Sequence, residues 1–72
     1  MSTRHEPQAP VLVEARGAVA YVSLNRPHAL NALNVPLEDA LISALEDLAT
    51  RAEIRVIVLR GAGRAFSAGA DL

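Results

Sequence analysis

The sequence has 72 residues, no cysteine, and a net charge of −1 at pH 7 with both histidines neutral. The lack of cysteine excludes disulfides, zinc–thiolate sites and thiol nucleophiles, and the balanced charge does not indicate a nucleic-acid-binding surface. A chain this short has room for one small domain, and no apolar run is long enough to span a membrane. The polar start lacks the apolar core of a signal peptide, so we expect a cytoplasmic protein without nucleic-acid or membrane partners.

The first half of the chain predicts a flexible N-terminal segment followed by a β-hairpin. Residues 1–10 are polar and contain two prolines, and a partial domain is expected over residues 11–72. Val11–Ala15 and Ala18–Leu24 have the β-propensity of two strands, and Gly17 between them marks a turn. Pro27 then breaks the pattern, because proline lacks the backbone donor and restricts the residue before it.

The second half predicts one amphipathic helix and a further strand. Asn34 is a good N-cap, and Pro36 is tolerated in the first turn. Ile54–Leu59 is a nearly continuous β-branched run, which predicts a strand buried on both faces. The order β-β-α-β favours an α/β or α+β fold with the helix packed on the sheet. The apolar positions that follow helical spacing are Leu37, Leu41, Ala44, Leu45 and Leu48.

A glycine-containing loop follows this strand and continues to the last residue. Small side chains around Gly69 leave room for backbone N–H groups to approach a ligand, and two such groups can hold a developing oxyanion. A dinucleotide fingerprint would need a third glycine where Phe66 stands, and a phosphate-binding P-loop would need a lysine, which the sequence lacks. A plain turn from strand to loop is the structural alternative.

Several polar residues have both a functional and a structural interpretation. His28 is a candidate base or phosphate contact, or a solvated loop side chain. Asp71 is a candidate catalytic carboxylate, or the cap of a following helix. Ser67 lacks a nucleophile-elbow motif, and Arg26 is expected to hydrogen-bond loop carbonyls.

Two segments read together resemble the enoyl-CoA hydratase/isomerase family, also called the crotonase superfamily. They are Leu24-Asn-Arg-Pro-His-Ala-Leu-Asn-Ala-Leu33 and Arg64-Ala-Phe-Ser-Ala-Gly-Ala-Asp-Leu72, with one helix and one strand between them. The resemblance covers about residues 11–72. It implies an α/β fold corresponding to the N-terminal β-β-α-β portion of a spiral of repeated β-β-α units, here truncated.

The resemblance also implies roles for particular residues. The backbone N–H of Ala70 matches one of two oxyanion donors, and the carbonyl of Ala68 matches a contact to the adenine amino group. His28 takes the place of a residue near the coenzyme A phosphates. The residues implied to contact the substrate or its coenzyme A are Ala68, Gly69, Ala70, Asp71, Leu72 and His28.

The implied substrate is an acyl-CoA thioester, with no cofactor beyond the coenzyme A of the substrate. Hydration of a trans-2-enoyl-CoA in fatty-acid or related metabolism is the leading expectation, while isomerase, dehalogenase, hydrolase and decarboxylase chemistry share this first half. Family members are commonly homotrimers or homohexamers. Their second oxyanion donor and catalytic glutamates come later, and the glutamates here, at positions 6, 14, 38, 46 and 53, match none of them. We therefore expect no activity from these residues alone. One alternative is a non-catalytic truncated product that folds poorly or pairs with a full-length relative, or a fragment that only binds acyl-CoA. Another is an unrelated module that binds a phosphate or acyl group.

Overall fold

A computed structural model of the chain describes residues 9–67, which form a three-stranded sheet with one helix. The elements are strands β1 (Val11–Arg16) and β2 (Val19–Leu24), a 3₁₀ turn (Pro27–Ala29), helix α1 (Val35–Ala49) and strand β3 (Val56–Gly61). The predicted β-β-α-β order is therefore confirmed. No helix within residues 9–67 combines the length and apolar character needed to cross a bilayer.

Strands β1 and β2 form the predicted antiparallel hairpin. Val13 pairs with Val22 and Arg16 with Val19, so only two residues make the turn. Gly17 has φ +59° there. That left-handed conformation costs a side-chain-bearing residue energy, and this explains why the turn uses glycine.

Helix α1 begins where the N-cap signal placed it and covers the hairpin. The Asn34 side chain accepts a hydrogen bond from the Leu37 backbone N–H at 3.0 Å. Leu37 and Leu48 are buried, and the remaining members of the predicted apolar stripe are half-buried. Leu48 forms the core with Ala20 and Val22 of β2. Val11, Leu41 and Ile54 pack against this core.

The prediction that the third strand is buried on both faces is wrong for the described chain. Strand β3 begins at Val56 and runs parallel to β2, and the strand order β1-β2-β3 places it at an edge of the sheet. Helix α1 packs mainly against β1 and β2 and leaves β3 uncovered. Ile54 lies before the strand and packs on the core instead. The exposed apolar side chains of β3 are Val56, Ile57, Val58 and Leu59, each at least 36% exposed.

The sheet face opposite α1 carries a small charged cluster. The Tyr21 ring lies between two guanidinium groups, with Arg16 at 4.9 Å and Arg60 at 4.8 Å from its centroid. Glu14 forms a salt bridge with Arg16 at 2.9 Å and lies 3.8 Å from Arg60. The hydrogen bond from Arg16, and then the positive charges, lower the pKa of the Glu14 carboxyl below its ordinary value.

Candidate functional site

Two loops follow the carboxyl ends of strands β2 and β3 and pack against each other. Because β2 and β3 are parallel and Leu24 pairs with Gly61, the segments that follow the two strands start side by side. We call residues 25–34 the first loop and residues 61–67 the second loop. The Ala62 backbone N–H donates to the Leu24 carbonyl at 2.8 Å, which joins the second loop to the end of β2. The fold thus brings together the first segment that the sequence singled out and the described part of the second, residues 64–67.

Asn31 is the centre of the contact between the two loops. Its side chain is fully buried, and its Oδ1 accepts a hydrogen bond from the Arg26 backbone N–H at 2.7 Å. Its Nδ2 donates to the carbonyls of Ala62 at 2.9 Å and Ala65 at 2.8 Å. The Ser67 hydroxyl donates to the Asn31 carbonyl at 2.9 Å. One residue of the first loop is therefore bonded to three positions of the second.

Two glycines allow the second loop to fold tightly. A Cβ on Gly61 would lie 2.5 Å from the Phe66 carbonyl oxygen, and closer still to the Ala65 carbonyl oxygen. A Cβ on Gly63, where φ is +83°, would lie 2.8 Å from the Pro27 Cβ. Contacts this short are not tolerated, so glycine is required at Gly61 for the second loop to fold back on itself and at Gly63 for it to approach the first loop.

The first loop is held by its own hydrogen bonds and by an unusual backbone. Leu30 and Asn31 both have left-handed φ values, +52° and +56°. The Leu30 backbone N–H donates to the Pro27 carbonyl at 3.1 Å. The Arg26 guanidinium donates to the Ala32 carbonyl, as the sequence predicted. These hydrogen bonds fix the conformation of the first loop, against which the second loop packs.

A surface cavity of about 650 Å³ lies beside the first loop. Pro36 at the start of α1 lines it, and His28 contributes an exposed imidazole. The Asn25 side chain ties the first loop to the segment before β1 by donating to the Ala9 carbonyl at 2.9 Å. The full lining is Pro10, Asn25, Arg26, Pro27, His28, Asn34 and Pro36.

The predicted site residues divide into two groups. His28 lies in the 3₁₀ turn beside the cavity, and its role near a phosphate stays a prediction. The other predicted site residues lie outside the described part of the chain; they are Ala68, Gly69, Ala70, Asp71 and Leu72. Within residues 9–67, no three His, Asp or Glu side chains are grouped closely enough to hold a metal ion.

Sequence reasoning overlooked Asn31, although it lies inside the first segment that carries the family resemblance. Asparagine tolerates left-handed φ values better than other residues with a side chain, and its amide supplies both an acceptor and two donors. Those two properties of asparagine were the signal in the sequence that could have indicated this role for Asn31. The partners lie 31 and 34 residues further along the chain, so local pattern alone does not identify them.

Comparison with known proteins identifies the family. Residues 14–72 match the profile described as Enoyl-CoA hydratase/isomerase, which is most of the chain. The chain belongs to the enoyl-CoA hydratase/isomerase family. It is 47% identical over 62 residues to the "Probable enoyl-CoA hydratase" of Rhizobium meliloti strain 1021, covering 86% of this chain and 24% of that protein. It is 40% identical over 62 residues to the small ribosomal subunit protein mS47 of Schizosaccharomyces pombe, covering 86% of this chain and 14% of that protein.

Solved structures of the enoyl-CoA hydratase/isomerase family share the fold. The chain superposes on an enoyl-CoA hydratase from Mycobacterium marinum with a TM-score of 0.83 and 44% identity, covering 86% of this chain and 29% of that one. The described elements are therefore an N-terminal portion of the crotonase fold. The chain spans less than a third of the length of each of these relatives.

Proposed function

We propose that the whole protein binds an acyl-CoA thioester and stabilises the enolate oxyanion formed from it. Family membership over residues 14–72 supports this proposal. The observation that carries it is the second loop, which Asn31 and the close approach at Gly61 hold in one conformation up to Ser67. The segment Ala68–Asp71 follows directly. A backbone N–H stabilises an oxyanion effectively only when the backbone around it is fixed in advance.

In this proposal the thioester carbonyl oxygen accepts a hydrogen bond from the Ala70 backbone N–H. In the hydration of a trans-2-enoyl thioester, a base removes a proton from water as its oxygen bonds to C3, and the electrons of the C2=C3 π bond shift to place negative charge on the carbonyl oxygen. Proton delivery to C2 then completes the hydration. A second donor and acid–base carboxylates are required from elsewhere. Loss of one oxyanion donor costs on the order of 100- to 1000-fold in rate, and general acid–base groups contribute roughly 100- to 10,000-fold.

The coenzyme A part of the substrate is assigned to the side of the first loop. The cavity that His28 lines is large enough for part of a small ligand, and an exposed imidazole can donate an N–H hydrogen bond to a phosphate. In this proposal the Ala68 carbonyl accepts a hydrogen bond from the adenine amino group, as the family resemblance implies. The exposed position of His28 fits a peripheral contact to phosphate better than a role in proton transfer at the thioester.

Calorimetric titration of the chain with butyryl-CoA, free coenzyme A and butyrate tests this proposal. We expect butyryl-CoA to bind more tightly than coenzyme A, because only the thioester places a carbonyl on Ala70, and butyrate to bind undetectably. The 72 residues should not consume a trans-2-enoyl-CoA, measured by loss of the conjugated thioester absorbance. Equal affinity for all three ligands would contradict the proposal.

A second candidate function is a non-catalytic interaction with a full-length family member. The observation that favours it is β3, an edge strand whose apolar side chains are exposed on both faces. The relative mS47, which is by name a ribosomal protein, shows that family members are not all named as enzymes. Sedimentation of the chain mixed with the Mycobacterium marinum enzyme tests this candidate. A complex that Ile57→Asp abolishes and Ile42→Asp on the outer face of α1 preserves would support it, and free components would contradict it.

A further inference from the structure

We infer that Asn31 is a positioning residue that fixes the backbone of the second loop as far as Ser67, the residue before Ala68, and thereby sets acyl-CoA affinity. This inference rests on the proposed function, because the ligand whose affinity Asn31 sets is the acyl-CoA of that proposal. Asn31 itself contacts no proposed substrate position. It acts through the second loop, from the opposite side of the contact between the loops.

The first argument is the distribution of the hydrogen bonds along the second loop. Asn31 is bonded to Ala62, Ala65 and Ser67, so the loop is held near its start, its middle and its last described residue. The third bond lies immediately before Ala68. A short loop held at three points has little conformational freedom between the first and the last of them, Ala62 and Ser67.

The second argument is that the site is selective for asparagine. The side chain accepts one hydrogen bond, from the Arg26 N–H, and donates two, to the Ala62 and Ala65 carbonyls. Aspartate matches the shape but presents an oxygen to two carbonyl oxygens. Leucine matches the size but leaves buried polar groups without their bonds, and buried polar groups are rarely left unsatisfied. The φ of +56° further disfavours most other side chains.

The third argument is that Asn31 is anchored independently of the second loop. Its backbone N–H donates to the Arg26 carbonyl at 2.8 Å, and its Oδ1 accepts from the Arg26 N–H. The Arg26 guanidinium in turn bonds the Ala32 carbonyl. The amide of Asn31 is therefore already oriented toward the second loop by contacts within the first loop.

The test is Asn31→Asp with Asn34→Asp as a matched control. Both variants add one negative charge, but the Asn34 side chain only accepts a hydrogen bond, from Leu37 N–H, which a carboxylate also accepts. Amide hydrogen exchange is measured by NMR in both variants and in the unchanged chain. We expect Asn31→Asp to speed exchange in residues 62–67 about tenfold or more, because two buried hydrogen bonds are lost, and to leave the β1–β2 hairpin unaffected. Asn34→Asp should leave both regions unchanged.

Lowering the pH supplies a rescue that a general loss of packing would not show. Protonation of the introduced carboxyl restores one donor, so the difference between Asn31→Asp and the unchanged chain should narrow toward pH 4. Loop exchange in Asn31→Asp equal to that of the unchanged chain would overturn the inference. So would rapid solvent exchange of the Asn31 side-chain NH₂ protons in the unchanged chain.

Two additional measurements cover the remaining outcomes. If Asn31→Asp also accelerates exchange in the hairpin, Ser67→Ala is used, because it removes a single hydroxyl that lies at the end of the second loop. Faster exchange confined to residues 66–67 supports the inference, and unchanged exchange overturns it. Calorimetry with butyryl-CoA then separates the two proposals. Failure of the unchanged chain to bind refutes the assignment of acyl-CoA binding to this segment, whereas binding that Asn31→Asp leaves unweakened refutes the role of Asn31.

Discussion

The close approach at Gly61 gives the sharpest test of how the second loop is built. In Gly61→Ala the new Cβ would lie 2.5 Å from the Phe66 carbonyl oxygen and 2.7 Å from the Phe66 Cα. These are backbone atoms, so no side-chain rotation relieves the clash, and the loop must move away from β3. That movement stretches the hydrogen bond between Asn31 Nδ2 and the Ala65 carbonyl.

The expected magnitude follows from three contributions. Overpacking costs about 1–3 kcal/mol, and loss of one hydrogen bond adds about 1 kcal/mol. Replacing glycine by alanine offsets about 0.4–1 kcal/mol of this loss of stability, because alanine lowers the conformational entropy of the unfolded chain. Gly61→Ala should therefore lower the free energy of unfolding by roughly 1–3 kcal/mol. Gly17→Ala is the matched control, because it carries a left-handed penalty of about 1–2 kcal/mol but meets no atom within 4 Å.

Urea unfolding followed by circular dichroism measures both variants. With a slope of about 1 kcal/mol per molar, Gly61→Ala should lower the midpoint by roughly 1–3 M. Gly17→Ala should lower it by less, since it creates no clash and the same gain from the unfolded chain offsets part of its penalty. Amide hydrogen exchange should become faster in the second loop of Gly61→Ala and in the hairpin turn of Gly17→Ala. A Gly61→Ala chain as stable as Gly17→Ala, with an unchanged second loop, would refute the steric account.

Two further predictions concern the core and the charged sheet face. Leu48→Ala should destabilise the chain by about 2–5 kcal/mol in the same urea assay, because Leu48 is buried against β2. The control Ile42→Ala, on the exposed side of α1, should cost less than about 0.5 kcal/mol. Equal effects of the two substitutions would contradict the assigned core. Arg16→Gln should raise the midpoint of Glu14 in a carboxyl NMR titration, because the Arg16 hydrogen bond is the main cause of its lowered pKa. The lowered folded-state pKa means that this pair favours the fold above the unfolded-state pKa, and that its contribution disappears as the pH falls through the folded-state value; an unchanged Glu14 midpoint would contradict the assignment.

Local signals in the sequence were sufficient for the elements of the fold. The N-cap at Asn34, the turn at Gly17 and the apolar spacing of α1 each depend on neighbours within a few residues. The burial of β3 was predicted incorrectly for a physical reason. A continuous apolar run indicates that a strand is suited to burial on both faces, but not which elements cover those faces. Within residues 9–67, helix α1 packs mainly against β1 and β2, and the side chains of β3 stay exposed.

The candidate site was predictable to a smaller extent. The family resemblance drew attention to both loops, and parallel pairing of β2 and β3 brings them together. The role of Asn31 was missed because it depends on the backbone course of a loop more than thirty residues away. The assignments of Ala68 and Ala70 remain predictions from the resemblance.

The most direct test of the central claim is an amide NMR titration of the chain with butyryl-CoA. The account predicts dispersed signals, with the largest shifts at Ala68, Gly69 and Ala70 and smaller ones around His28 beside the cavity. A folded chain whose shifts fall elsewhere, or which does not respond to the thioester, would contradict the assignment of this segment to the thioester carbonyl.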